Sequence, residues 1–372
     1  MSVPVYFADL STTPNVGFPE KISLLLRRAG VDQMWGANDY VALKTHFGEK
    51  GNITFVNPVV MKHIVRTCGQ YTDRLFLTDT NTLYMLSRGE GIGHYHRAFD
   101  HGFCIATMGV PVVIADGLRG THSEAVPIEG GRHYSSVDVA REIHDADGMV
   151  VVAHFKLHDL LGISGVCKHL GMGCVARPAK LKMHSSVNPY IDAEACTRCG
   201  KCVTWCKREA IAADKPSGVV SIDENVCTGC GICLTTCPSR AIKIRWNSRD
   251  RDLARLQEKI MEHAAGVLSN KRGKTVYLSF LKDVYVNCDC EAHVGSRVVN
   301  DIGMLASTDP VAIDAACAEL VNQRPGIESE YLRDPLSTDK IRSVYPHIDW
   351  RHQLSYAESL GIGTTAYTLE RV

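Results

Sequence analysis

Apolar runs bounded by turn residues recur through the first half of the chain, at VPVYFADL, YVALKTHF, RLFLTDT, VPVVIADG and GMVVVAHF. Between them lie FPEKISLLLRRAG and NPVVMKHIVRTCG, whose apolar residues recur at helical spacing before a glycine stop, and a further helical stretch, HYHRAFDHGF. Strands alternating with helices predict an α/β domain, a mostly parallel doubly wound sheet covered on both faces. Ligands of such sheets sit at the carboxyl ends of the strands, which here carry KTHFGE, TDTN, ADGLRG and HFKLH. Asp79, Asn81, Asp116 and Arg119 fall at those ends, as pocket wall or as loop caps.

The texture changes between residues 187 and 245, where cysteines are dense and long apolar segments are few. It then returns, with RDRDLARLQEKIMEHAAGVLSN as a helix, KTVYLSFL and IGMLAS as apolar strands, and DPVAIDAACAELVNQ as a helix that Asp309 can cap and Pro310 can start. The pattern predicts one α/β domain in two parts, 1–186 and 246–372, with a separate module, 187–245, inserted between them. Beyond residue 324 only moderate helical signals remain.

Composition narrows the function classes. Lys plus Arg and Asp plus Glu number 41 each, so the global charge gives no reason to expect nucleic acid or an anionic membrane as a partner. No apolar run approaches the roughly 20 residues that span a bilayer, and the opening MSVPVYFADL reads as a first strand, so a cytoplasmic location is expected. The 15 cysteines do not suggest a secreted disulfide scaffold, because the densest of them follow a metal-ligand spacing. Cys68, Cys104 and Cys317 read as small buried hydrophobes.

That spacing is C-x2-C-x2-C-x3-C, present twice, as CTRCGKCVTWCK and CTGCGICLTTCP. A cubane iron–sulfur cluster needs converging soft thiolates; a tight loop supplies three, and the fourth reaches across to the other cluster. By that rule Cys196, Cys199, Cys202 and Cys237 hold one [4Fe-4S] cluster, and Cys227, Cys230, Cys233 and Cys206 hold the second, in an α+β ferredoxin-like module. Zinc knuckles space their cysteine pairs more widely. Proline follows Cys237 but Lys207 follows Cys206, which places a cation beside the second cluster.

Just before the module, HFKLHDLLGISGVCKHLGMGC gathers histidines, lysines and glycines. His154 and His158 share a face in either a helix or a strand, and Lys156 joins them if the segment is extended. With Lys168 they are the candidate proton-transferring residues, a general acid role if electrons arrive nearby. Ser164 is a candidate cap for a short helix whose amino end, at Gly165, would face an anion. Arg177, Lys180 and Lys182 form a cationic strip, read either as a solvated linker or as a dock for an anionic small molecule or an acidic redox partner. Further on, NCDC offers Cys288 and Cys290 as a second metal or redox site, with His46 a candidate additional ligand. RGEGIGHYH departs from a dinucleotide fingerprint, which excludes an NAD assignment and leaves a flavin or other anionic cofactor as an expectation.

The segments TDTNTLY, HGFCIATMGVPVVIADGLRG, HFKLHDLLGISGVCKHLGMGC with ARPAKLKMHS, both cysteine motifs, NCDC and DIGMLASTDPVAIDAAC, in this order, resemble the family called domain of unknown function 362, in its ferredoxin-containing branch of uncharacterised Fe-S centre proteins. That family usually has asparagine where this chain has His169. The resemblance implies an iron–sulfur protein of mostly anaerobic metabolism. The expected function is a redox protein that passes electrons between a partner such as ferredoxin and a pocket in the α/β domain. Two non-catalytic alternatives are an electron carrier or docking subunit of a redox complex, and a metal-handling factor.

Overall fold

In the computed structural model, which describes residues 2–184, 188–214, 216–245 and 252–372, the predicted apolar runs pair into one large sheet. Its strands are β1 Val3–Asp9, β2 Val41–Lys44, β3 Leu75–Asp79, β4 Val112–Ile114, β5 Gly148–His154, β6 Thr275–Leu281, β7 Gly303–Ser307 and β8 Tyr367–Arg371. They lie in the order β8-β1-β7-β6-β5-β2-β3-β4. β7 is antiparallel to both its neighbours, and every other adjacent pair is parallel. Every residue of β5 and β6 is buried, which is why both read as unbroken apolar runs.

Alternate residues of β5 feed two cores. Met149, Val151 and Ala153 pack with the helices Val166–Gly171, Leu253–Leu268, Pro310–Gln323 and Arg351–Ser359. Val150 and Val152 pack on the other face with Phe18–Arg28 and Pro58–Cys68. The chain leaves β2 toward one face and β5 toward the other, so the carboxyl ends of this adjacent pair form the crevice where such sheets take ligands. The reversed strand β7 matters for the same edge: because it runs back toward the amino end, the segment joining β6 to β7 begins and ends at the carboxyl edge. NCDC lies in that segment.

The cap of Pro310–Gln323 forms as its sequence indicates, with Asp309 Oδ1 accepting from the Val311 and Ala312 amides at 2.9 Å each. The third helix lies earlier than HYHRAFDHGF predicts, at Gly91–Asp100, because Glu90 caps it by accepting from the Ile92 and Gly93 amides. Past residue 324 the structure adds the edge strand β8, whose alternation is too short and too polar to read as a strand. Residue 187, where the module is predicted to begin, residue 246, just past its predicted end, and residues 249–251 of the helix predicted from RDRDLARLQ lie outside the described residues; the described helix is Leu253–Leu268.

Residues 188–245 are built from two short helices, Lys201–Trp205 and Ile232–Thr236, and two small antiparallel strand pairs. Their own core contains Ile211, Val220, Leu234 and Ile242, with Met85 of the α/β part packed against it. The halves repeat in backbone conformation. Positive φ angles recur at Arg198 and Gly229, Gly200 and Gly231, and Glu209 and Arg240.

Candidate functional site

A cavity of about 120 Å³ opens where the carboxyl ends of β2, β3 and β5 meet. The exit of β2 contributes Lys44 and His46, and that of β3 Asp79 and Thr80. The hairpin of Lys156–His158 with Gly162–Ser164 adds Lys156, His158 and Ser164, and the next two helices add Lys168, His169, Lys180 and His184. Cys288, Cys290 and Glu291 close it, and Leu83, Leu160, Leu161, Met172 and Ile260 supply an apolar wall.

Two buried carboxylates organise the charges. Asp79 takes Lys44 Nζ at 3.0 Å and stands 3.5 Å from Arg88 Nη1 and 3.6 Å from His94 Nε2. Burial opposes its ionised form, but Lys44 and the His94 contact hold its carboxyl well below the usual range. Asp289 accepts from His154 Nδ1 at 2.9 Å, Lys156 Nζ at 2.8 Å and Thr54 Oγ1 at 2.8 Å. Despite burial, His154 and Lys156 hold it well below the usual carboxylate range as well.

Lys168 Nζ donates to the Cys288 sulfur at 3.2 Å. A hydrogen bond from Cys290, then Lys168 and Lys156, hold the Cys288 thiol well below the ordinary cysteine range against the cost of burial. Cys290, which gives that bond, is pushed well above it. The CDC segment is a turn rather than an extended strand, closed by the Glu291 amide donating to the Cys288 carbonyl at 3.0 Å. It is this turn that delivers both thiols to one cavity.

The cavity histidines are kept neutral. Burial first, then Arg88, lowers the His46 ring well below its usual range, and burial with Lys168 lowers His158. His184 is pushed down to about 4, chiefly by burial. Among the described residues, three buried polar groups facing this space have no hydrogen-bond partner: Ser164 Oγ, Arg88 Nη2 and both ring nitrogens of His169. Such a group costs about 1–3 kcal/mol when left dry, so the cavity is built for an occupant with polar atoms.

The sequence-predicted residues do not all converge. Lys156, His158, Ser164, Lys168, His46, Cys288 and Cys290 line the cavity. His154 does not; its Nδ1 is on Asp289 and its Nε2 meets the Asp283 carbonyl at 2.9 Å, so it positions the Asp289 loop. Gly165, not Ser164, caps the helix Val166–Gly171, and the amides assigned to an external anion are taken internally. Asp314 accepts from the Val166 and Cys167 amides at 2.8 and 2.9 Å. Arg177 is wholly buried as a brace, donating to the carbonyls of Thr82, Gly89 and Arg119 and packing against Gly231. Lys180 is also buried, donating to Thr80 Oγ1 at 2.7 Å, whereas Lys182 pairs at the surface with Asp138. Asn81 and Asp116 bond each other as loop caps. The RGEGIGHYH glycines serve packing: Gly91 lies against the Leu118 backbone, and Glu90 fills the helix amino end.

In the module, one cavity is lined by Cys196, Cys199, Cys202 and Cys237, together with other module residues only. A second is lined by Cys206, Cys227, Cys230 and Cys233, together with Lys207 and with Thr121 and Pro178 of the α/β part. All eight thiols are free of disulfides, so each cavity offers the four soft donors a cubane requires. Among the described residues no three His, Cys, Asp or Glu side chains are grouped to hold a single metal ion. Thiolates around a four-iron body stand farther apart than around one ion. Among the described residues, Cys288, Cys290 and His46 are left without a preformed single-ion site.

Sequence reasoning missed Asp289, Arg88, Glu49 and Asp314. Asp289 stands in plain view inside NCDC, and its signal is a carboxylate between two candidate ligands. Arg88 binds Glu49 at 3.3 Å, a pairing between distant loops that no local pattern announces.

The family profile described as Domain of unknown function (DUF362) matches residues 41–319. A comparison with curated proteins gives no match. Among solved structures, the lactate racemase apoprotein from Thermoanaerobacterium thermosaccharolyticum is similar at 10% identity and a TM-score of 0.37, over 75% of this chain and 51% of that one. A Thermotoga maritima protein is similar at 12% identity and a TM-score of 0.32, over 71% and 49%. The chain thus spans about half the length of each. Among the described residues no helix is long and apolar enough to cross a membrane.

Proposed function

The chain belongs to the domain of unknown function 362 family, and from that premise we propose that it is an iron–sulfur redox protein of the ferredoxin-containing branch, acting between a partner protein and the cavity of the large sheet. Cys196, Cys199, Cys202 and Cys237 would hold one [4Fe-4S] cluster, and Cys206, Cys227, Cys230 and Cys233 the other. When bound, such clusters supply one-electron transfer. The observation that carries the reading is that each set of four free thiols lines a cavity of its own.

The two cavities differ in a way that gives them different roles. The first is bounded by module residues alone and includes the exposed Cys199, which suits an external ferredoxin or similar donor. The second adjoins the α/β part. From there the helix Arg177–His184 leads inward: Arg177 packs on Gly231 and Leu181 on Gly229 of the cysteine loop, while Lys180 and His184 line the large cavity. In that cavity Lys168, beside Cys288, and Lys156, beside Asp289, would donate protons to a bound molecule as negative charge builds on it.

Anaerobic purification of the full chain with iron and acid-labile sulfide analysis tests this. About eight irons and eight sulfides per chain, with visible absorption bleached by dithionite, is the expected result. Material prepared in that way and free of iron and sulfide overturns it.

A further inference from the structure

Cys288 and Cys290 share the large cavity, and the reading above gives them no task. The turn closed by the Glu291 amide on the Cys288 carbonyl carries both cysteines within three residues of chain. Both cysteines line the same cavity, and Lys168 Nζ lies 3.2 Å from the Cys288 sulfur. A cation held against one of two neighbouring thiols favours the thiolate at Cys288 and leaves Cys290 as the partner thiol. The nearby wall of Leu160, Leu161, Met172 and Ile260 suits a soft, uncharged group, and no third ligand is grouped with the pair among the described residues.

We propose that Cys288 and Cys290 are a redox-active dithiol that reduces a small disulfide entering this cavity. The Cys288 thiolate attacks one sulfur of R–S–S–R; a Cys288–S–S–R bond forms, the original S–S bond breaks, and R–S⁻ leaves and takes the Cys290 proton. The Cys290 thiolate then attacks the Cys288 sulfur, closing the Cys288–Cys290 disulfide and releasing the second R–S⁻. Two electrons and one proton restore thiolate plus thiol. Only this return half rests on the proposed function, whose one-electron iron–sulfur supply would be drawn on twice.

The full chain, purified anaerobically, is treated with 2-hydroxyethyl disulfide, alkylated, and mapped by peptide mass over residues 288–290. The wild type should lose about 2 Da there with both thiols protected, and Cys290→Ser should trap one hydroxyethylthio adduct on Cys288. Cys288→Ser should show neither. Lys168→Met should form the trapped adduct in the Cys290→Ser background at least roughly tenfold more slowly at neutral pH, the difference closing in alkali, where Cys288 ionises without help. A wild-type segment that stays dithiol under excess disulfide, or that holds a metal ion instead, overturns the proposal, as does an adduct on Cys290 in Cys288→Ser at the wild-type rate. The mapping needs no iron, so the two readings fail separately. If the mapping succeeds but the disulfide does not reoxidise the dithionite-reduced chain, the electron supply fails and the dithiol stands. Full iron and sulfide without the mapped chemistry leaves the supply standing and removes the dithiol.

Discussion

At the scale of single residues, the site depends on a carboxylate, Asp289, that does not itself line the cavity. Asp289 is wholly buried and gathers His154, Lys156 and Thr54. Replacing it with asparagine keeps the shape but leaves the buried Lys156 ammonium without its counter-charge, a change that typically costs about 3–5 kcal/mol. Asp289→Asn should lower the denaturant midpoint accordingly at neutral pH. The sign with pH follows from the direction of its shift. A carboxyl whose folded pKa is depressed contributes fully above its unfolded pKa of about 3.9, and the contribution is lost as pH falls through the folded value. The gap between wild type and variant should therefore narrow below about pH 4, and a gap that instead widens in acid would remove Asp289 as the organising charge.

At the scale of elements, the cavity depends on how closely the helix Val166–Gly171 lies against Leu253–Leu268. A Cβ at Gly171 would stand 2.0 Å from the Ile260 carbonyl oxygen, which belongs to backbone and cannot swing aside. Gly171→Ala should therefore cost about 1–3 kcal/mol by overpacking and push Lys168 away from Cys288. Denaturant unfolding checks the first effect, and the alkylation rate of Cys288 at neutral pH checks the second; an unchanged midpoint would mean that the helices can separate freely. The strands of this frame were legible because β5 and β6, buried on both faces, need apolar residues at every position. The reversal of β7 was not, since GMLAS carries the same signal in either direction, and that reversal is what returns the Cys288 segment to the ligand edge. The amino end of Val166–Gly171 illustrates a second limit. Its free amides are expected from the sequence to face a bound anion, but they are taken by Asp314, a side chain 148 residues from Val166 in sequence. Pairings between separate segments, like this one and that of Arg88 with Glu49, leave no trace in local periodicity, whereas the ligand-rich loops themselves are visible as runs of His, Lys and Cys at strand exits.

At the scale of the whole molecule, the module and the sheet meet, among the described residues, through specific contacts of Arg119, Arg177, Leu181 and Met85. Arg119, from the loop after β4, lies 3.8 Å over the Trp205 ring and donates to Thr236 Oγ1 at 3.0 Å, touching both short helices of the module. Arg177 and Leu181 approach the second cysteine loop from the other side, and Met85 packs into the module core while its neighbour Tyr84 lines the large cavity. A partly exposed cation over an aromatic ring with one neutral hydrogen bond is worth on the order of 1–2 kcal/mol. Arg119→Ala should loosen the docking by that much without touching a cysteine, so amide hydrogen exchange across the module should rise roughly fivefold or more while β5 and β6 keep their protection. Equal acceleration in the sheet would show that Arg119 supports the α/β part as a whole. No change anywhere would place the docking energy with the wholly buried Arg177 and with Met85, which packs against the module core.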